Sequence, residues 1–252
     1  MFELAAIEEA IHRLYIAAPG TALRKEDHKK AAEIAALLSE IARVLPAAKA
    51  SPVCVVDAAA GKAYVGLLAA EFIFSPRGQA SHVTLIERDR ERSAACREAI
   101  AKVRGGEVSF ALMQAEVGDF AAWPEEPDLV VALHACGSAS DDVIDSAVAC
   151  RARHLLLVPC CTSQSVSAAA LANTRAEALG LPRHAEIRRR FIQAIVDAER
   201  TLRLEAAGYE TTVVSFVAPT VTPHHLLWRA RRVVEPGRMA EAAERLRRLR
   251  GE

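Results

Sequence analysis

Short aliphatic runs rich in β-branched residues alternate with longer amphipathic stretches from Pro52 onward, and this alternation constrains the fold more than any other feature. It is typical of a parallel sheet with crossover helices. Because each short run is almost continuously apolar, we expect helices on both faces of the sheet. The predicted strands are Val53–Asp57, His82–Glu87, Val108–Leu112, Asp128–His134 and His154–Val158, and the predicted helices between them lie near Tyr64–Phe74, Arg90–Val103 and Asp141–Cys150.

The last third of the chain predicts a long helix and two further strands. The helix, Ala185–Ala207, ends before Gly208, and the strands are Thr211–Val217 and Leu226–Val233. Their connection is too short for a helical crossover, so the two strands should pair antiparallel. The predicted fold class is therefore α/β, a doubly wound and mostly parallel seven-stranded sheet. This order is that of the Rossmann-like class I methyltransferases, whereas the plain NAD-binding fold lacks the final hairpin.

The length fits one α/β domain with additional elements at its ends. We expect an N-terminal helical extension at residues 1–50, the main domain at 51–235 and a basic C-terminal helix at 236–252. The N-terminus has acidic residues early and lacks the pattern of a signal peptide, and no apolar run approaches the roughly 20 residues that span a bilayer. Scattered cysteines show no disulfide framework. We therefore expect a cytoplasmic protein without a membrane partner.

The first predicted strand runs into the sequence VVDAAAGKA, residues 55–63. In parallel sheets, ligands bind beyond the carboxyl ends of the strands, where small residues let a ligand approach the backbone. Ala58, Ala59, Ala60 and Gly61 meet this requirement, and Asp57 is a candidate partner for the ammonium group of a methionine moiety. A tight turn without any ligand is the alternative interpretation.

Further candidate ligand residues follow the other strands. Glu87 ends the second strand, where an acid accepts ribose hydroxyls. After the third strand, Glu116 or Asp119 is placed to accept an adenine amino group while Val117 packs on the ring. No G-x-G-x-x-G segment for a pyrophosphate is present, which disfavours a dehydrogenase. We predict S-adenosylmethionine as cofactor, with these binding residues: Asp57, Ala58, Ala59, Gly61, Glu87, Arg88, Glu116, Val117, Leu133 and His134.

The fourth strand ends in LHACGSASD, residues 133–141, and the fifth in VPCCTSQ, residues 158–164. This pair resembles a Rossmann methyltransferase family with Leu-His-x-Cys-Gly and Pro-Cys-Cys motifs, related to tRNA 2′-O-methyltransferases. The segments 25–34, 203–209 and 222–232 are also similar to that family. Ala59 and Ala63 stand where the family commonly has glycine, and Ser140 replaces the usual threonine. We expect the two alanines to be accommodated at negative φ.

The resemblance brings His134, Cys136, Cys160 and Cys161 to neighbouring strand ends. Three interpretations are open: structural packing, acceptor positioning or acid/base assistance, and a zinc site, which strand alternation at the two adjacent cysteines disfavours. Asp141 is expected to cap the following helix or to orient His134. The candidate catalytic residues are His134, Asp141, Cys160 and Cys161, and no metal is predicted.

The methyl acceptor is less clearly indicated by the sequence. Although 32 Lys and Arg residues balance 32 Asp and Glu residues, arginines cluster late in the chain. They are Arg188, Arg189, Arg190, Arg229, Arg231, Arg232, Arg238, Arg245, Arg247, Arg248 and Arg250. They predict either a solvated surface or a platform for the backbone of a structured RNA. Alternatives are a small-molecule or protein acceptor, and a cofactor-binding module without turnover.

Overall fold

The computed structural model describes residues 2–16, 21–45, 51–160 and 165–252. Within these ranges a seven-stranded sheet has the order β3-β2-β1-β4-β5-β7-β6. Its strands are β1 Val53–Ala58, β2 Ser81–Ile86, β3 Val108–Met113, β4 Leu129–Ala135, β5 His154–Pro159, β6 Tyr209–Ser215 and β7 Leu226–Arg232. The first five are parallel, and β7 is antiparallel to both β5 and β6. The predicted parallel sheet with a final antiparallel hairpin is confirmed.

Eight α-helices of the described residues accompany the sheet. They are α1 Leu4–Ile11, α2 Lys25–Val44, α3 Tyr64–Ala69, α4 Arg90–Ile100, α5 Ala139–Ala149, α6 Ser167–Ala178, α7 Ala185–Ala206 and α8 Pro236–Arg250. Sequence periodicity did not predict α6. Its buried positions are all alanines, so it lacks the large apolar residues that mark a helix face. None of the described helices has the length and apolarity needed to cross a membrane.

Alternate residues of β1 face two separate cores, as expected for a sheet covered on both sides. Val53 and Val55 point into one core, and Val56 and Ala58 into the other. The first core also contains Ile7 and Ile11 of α1 and four residues of α2, namely Ile34, Leu37, Leu38 and Ile41. Burying such side chains contributes about 1.5–3 kcal/mol each. The helices before residue 50 are thus packed on the sheet, and α2 reaches its ligand-binding edge.

Candidate active site

The turn after β1 has an unusual backbone. Ala59, Gly61 and Ala63 have φ values of 53°, 61° and 60°. The expectation of negative φ at the two alanines is therefore wrong. A left-handed conformation costs an L-residue roughly 1–2 kcal/mol. Hydrogen bonds hold this turn in place: the amide of Ala60 donates to the Ile86 carbonyl, and that of Ala63 to the Ala60 carbonyl.

Asp57 lies at the base of this turn and is only 2% exposed. Its Oδ2 accepts a hydrogen bond of 2.8 Å from the Gly66 amide in α3. Burial raises the pKa of the Asp57 carboxyl to about 7, the Gly66 amide opposes this rise, and the charge of Glu87 adds to it. A buried carboxylate with so high a pKa favours a cationic partner.

Glu87 directly follows β2 and is also buried. Its two carboxylate oxygens accept hydrogen bonds from the amides of Gly61, at 2.7 Å, and Asp89, at 2.8 Å. Because a carboxylate has about four acceptor positions, two remain for a ligand. Glu87 therefore connects the first two strand ends and still has hydrogen-bonding capacity.

These strand ends surround a cleft with two adjoining lobes that share Ala59, Arg92 and His134 as lining residues. We call it the strand-end cleft. The first lobe, about 390 Å³, is lined by residues that include Ile86, Glu87, Arg88, Ala115, Glu116, Val117, Cys136, Ser138 and Asp142. The second lobe, about 360 Å³, is lined by residues that include Lys30, Asp57, Ala60, Gly61, Tyr64 and Leu133.

Most of the predicted ligand residues line this cleft. Glu116 is exposed and pairs with Arg88 at 3.4 Å, at the first lobe. Ala58 instead packs in the core below the turn. The side chain of Asp119, the alternative to Glu116, accepts the amide of Ala121 and caps a short 3-10 turn. Sequence reasoning did not identify Arg92, which lines both lobes.

His134 lies in an irregularity of β4, where the pairing with β5 shifts between Leu133 and Ala135. Its φ is 62°, so it is the extra residue of a bulge. The bulge turns the imidazole toward α2, where Nε2 lies 2.8 Å from Oε1 of Glu33. The other oxygen of Glu33 accepts a 2.7 Å hydrogen bond from Lys30. His134 thus has an acidic partner that sequence reasoning missed.

A signal for Glu33 was nevertheless present in the sequence. Glu33 precedes Leu37 and Ile41 by one and two helical turns, so it lies on the apolar face of α2. An acid on a buried helix face needs a partner, because an unpaired buried charge is costly. The sequence alone does not identify that partner.

Comparison with known proteins identifies the family. A family model described as a methyltransferase domain matches residues 29–168, more than half of the chain. The chain belongs to this family. No match is found among curated protein sequences.

Two solved methyltransferases share the fold. A Podospora anserina methyltransferase bound to S-adenosylhomocysteine is 14% identical, with a TM-score of 0.51 and coverage of 90% of this chain and 88% of the other. A magnesium protoporphyrin IX methyltransferase from Synechocystis PCC 6803, also with S-adenosylhomocysteine, is 12% identical, with a TM-score of 0.50 and coverage of 89% and 93%. At these identities the similarity concerns the fold.

The cysteines of this methyltransferase domain are arranged differently from the expectation. Cys136 and Cys160 form a disulfide with 5.4 Å between their Cα atoms, and both sulfurs approach the His134 carbonyl. Cys161 lies outside the described residues. Within the described part of the chain, no three His, Cys, Asp or Glu side chains converge to hold a metal ion.

Asp141 neither caps α5 nor contacts His134, so both expectations for it are wrong. The N-cap residue of α5 is Ser138, and Asp141 lies inside the first turn. Its Oδ1 instead pairs with Arg200 at 3.0 Å and with Arg203 at 3.3 Å, both on α7. Arg200 is 1% exposed. Asp141 therefore neutralises a buried cation between two helices.

A second cavity of about 390 Å³ lies beside α7, and we call it the α7 cavity. Its lining includes Cys160, Arg189, Arg190, Gln193, Asp197, His224, His225 and Trp228. Burial raises the pKa of Asp197 to about 6, although the side chain of Gln193 opposes the rise. The ring of His224 packs edge-to-face on that of His134, with centroids 5.9 Å apart. The α7 cavity and the strand-end cleft therefore meet at this pair of histidines.

Most of the predicted RNA-binding arginines pair with acids of the same chain. The pairs are Arg188–Glu177, Arg189–Glu186, Arg229–Glu40, Arg231–Glu210, Arg238–Glu235, Arg245–Glu241, Arg247–Glu244, Arg248–Glu244 and Arg250–Glu199. Within the described residues, Arg190 and Arg232 have no acidic partner. The positive charge of α8 is thus largely balanced locally, whereas Arg190 adds an unbalanced charge to the lining of the α7 cavity.

Proposed function

We propose that this domain transfers the methyl group of S-adenosylmethionine to an acceptor held near His134. The observation that carries the proposal is the strand-end cleft, in which two buried carboxylates, Asp57 and Glu87, end neighbouring strands of a methyltransferase fold. When bound, the cofactor supplies an electrophilic methyl carbon on a sulfonium. The protein contributes proximity and alignment for its displacement.

The residues of the cleft fit this cofactor. Asp57, with its raised pKa, suits the ammonium group, and the remaining acceptor positions of Glu87 suit the ribose hydroxyls. Val117 and Glu116 line the first lobe, where the adenine would lie. A Cβ placed on Gly61 would meet no atom within 4 Å, so the turn is open toward a ligand. Lys30 and Arg92 provide cations for the cofactor carboxylate.

For the acceptor we propose a structured RNA that enters through the α7 cavity. Arg189 and Arg190 lie on the first turns of α7 and line the cavity beside His224, His225 and Trp228. Guanidinium groups bind phosphates, and aromatic and imidazole rings stack on unpaired bases. The balanced charges of α8 make it a weaker phosphate ligand than the sequence alone implied.

Cofactor binding is tested by calorimetry with S-adenosylmethionine and, separately, with NAD. We expect binding of the first only, weakened ~10- to 150-fold in Glu87→Ala, which loses charge-assisted hydrogen bonds. Glu91→Ala is the matched control, because Glu91 is an exposed acid one turn away in α4. Binding of NAD instead, or equal affinity in both variants, would contradict the cofactor assignment.

The acceptor is tested by incubating the protein with labelled cofactor and separate RNA, protein and small-molecule fractions. We expect label in RNA. The double variant Arg189→Ala/Arg190→Ala should weaken RNA binding and reduce its salt dependence by up to ~0.9 per lost phosphate contact, whereas Arg245→Ala/Arg248→Ala should change both less. Label only in protein or small molecules would replace RNA as acceptor, and cofactor binding without label would indicate a binding module.

A further inference from the structure

The Glu33 carboxylate is buried at a point where the fold does not require a charge. It is 3% exposed and lies among apolar residues of α2, yet both of its oxygens are hydrogen-bonded. One partner is Lys30, one turn earlier in the same helix, and the other is His134, 101 residues away. Glu33 therefore ties the ligand-binding end of β4 to α2.

The charge state of Glu33 determines which nitrogen of His134 carries the proton. Burial alone would raise the pKa of Glu33, but the hydrogen bonds and charges of His134 and Lys30 outweigh it and lower the pKa below its usual value. The carboxylate is then ionised at neutral pH and only accepts hydrogen bonds. Nε2 of His134 must therefore be the donor, and Nδ1 of the neutral ring keeps its lone pair.

Nδ1 of His134 is buried and has no hydrogen-bond partner among the described residues. His134 lines both lobes of the strand-end cleft, and its ring packs on His224 of the α7 cavity. The charged and titratable groups around the ring are thus Glu33 and Lys30 from α2 and His224 from the segment before β7. The basic nitrogen lies between the proposed cofactor and acceptor sites.

We propose that Glu33 is a positioning residue that holds His134 as the proton acceptor for the methyl acceptor. This rests on the proposed function and names its substrate class: an acceptor whose O–H or N–H loses a proton during transfer. The acceptor lone pair forms the bond to the methyl carbon, the carbon–sulfur bond breaks with its electrons remaining on sulfur, and the acceptor proton moves to Nδ1. Glu33 stabilises the resulting imidazolium, which then releases the proton to water.

The decisive variant is Glu33→Gln, which retains the size and a hydrogen-bonding oxygen but removes the charge. We expect kcat to fall ~100-fold, which is at the lower end of the contribution of general base catalysis. The acidic limb of the kcat profile should move to lower pH, because the imidazolium loses its anionic partner. The affinity for S-adenosylmethionine should change less than threefold. Glu40→Gln, a second acid of α2 that pairs with Arg43 and Arg229, is the control and should match the wild type.

A second readout does not depend on turnover. Nitrogen-15 NMR of histidine-labelled protein, with His134 assigned from the His134→Gln variant, reports which ring nitrogen carries the proton. We expect a proton on Nε2 in the wild type and a mixture of tautomers in Glu33→Gln. A wild-type ring protonated on Nδ1, or an unchanged kcat profile in Glu33→Gln, overturns the role of Glu33. Failure of the wild type to bind the cofactor would instead contradict the proposed function, and the NMR result would still decide the tautomer.

Discussion

The backbone amide of Gly66 donates a 2.8 Å hydrogen bond to Oδ2 of Asp57, which ties the strand-end carboxylate to the first turn of α3. Only glycine permits this approach, since a Cβ at residue 66 would lie 2.7 Å from Leu85 and 3.1 Å from the same carboxylate oxygen. The helix amide favours the ionised carboxylate, yet burial is the larger effect and the pKa rises to about 7. Two predictions follow from this balance.

Binding of S-adenosylmethionine should release protons near neutral pH. In the free protein, Asp57 is partly protonated near its pKa of about 7, and a cofactor ammonium beside it would favour the ionised form. Calorimetry in two buffers of different ionisation enthalpy measures the release. Asp57→Asn is the control and should release none from this site. Equal heats in both buffers for the wild type would refute the coupling.

The stability of the free protein should fall as pH rises from about 4 to about 7. The folded pKa of Asp57 exceeds the unfolded value, so the native state binds more protons in this window and loses stability as they dissociate. A shift of this size corresponds to at most about 4 kcal/mol. Denaturant unfolding of Asp57→Asn across the same pH range should show a flatter dependence. Parallel curves for the two proteins would mean that Asp57 titrates normally.

Replacing Asp141 by Asn should destabilise the fold rather than abolish chemistry. Arg200 is buried and would lose its anionic partner, a change that typically costs about 3–5 kcal/mol. Asp145→Asn, in the same helix, is the control. Its side chain is 61% exposed and pairs with Arg203, so a loss of less than ~1 kcal/mol is expected. Denaturant unfolding measures both. A stable Asp141→Asn protein without methyl transfer would restore a catalytic role for Asp141.

The Cys136–Cys160 disulfide should be detectable chemically. Alkylation of denatured protein before and after reduction, followed by mass spectrometry, should show two additional reactive thiols after reduction. Cys136→Ser should abolish that increase. The bond closes a loop with a sequence separation of 24, so its loss should reduce stability by about 3 kcal/mol. If turnover per folded molecule is unaffected, the pair is structural; if turnover is lost at full stability, the cysteines take part in the transfer.

Local sequence patterns determined the sheet and one half of the site. The alternation of apolar runs with amphipathic stretches predicted the parallel strands and the final hairpin, because strand and helix periodicities are properties of neighbouring residues. In a parallel sheet the strands end at a common edge, so Asp57 and Glu87 were predictable as cleft residues from their positions alone.

Tertiary structure decided the rest, because it depends on contacts between distant segments. The Glu33–His134 contact spans 101 residues and exists only because α2 packs on the sheet and a bulge in β4 redirects the imidazole. Asp141 had a local role available as a helix cap, but the buried Arg200, 59 residues later, is its partner. The positive φ at Ala59 and Ala63 is likewise imposed by hydrogen bonds within the folded turn, against the intrinsic preference of alanine.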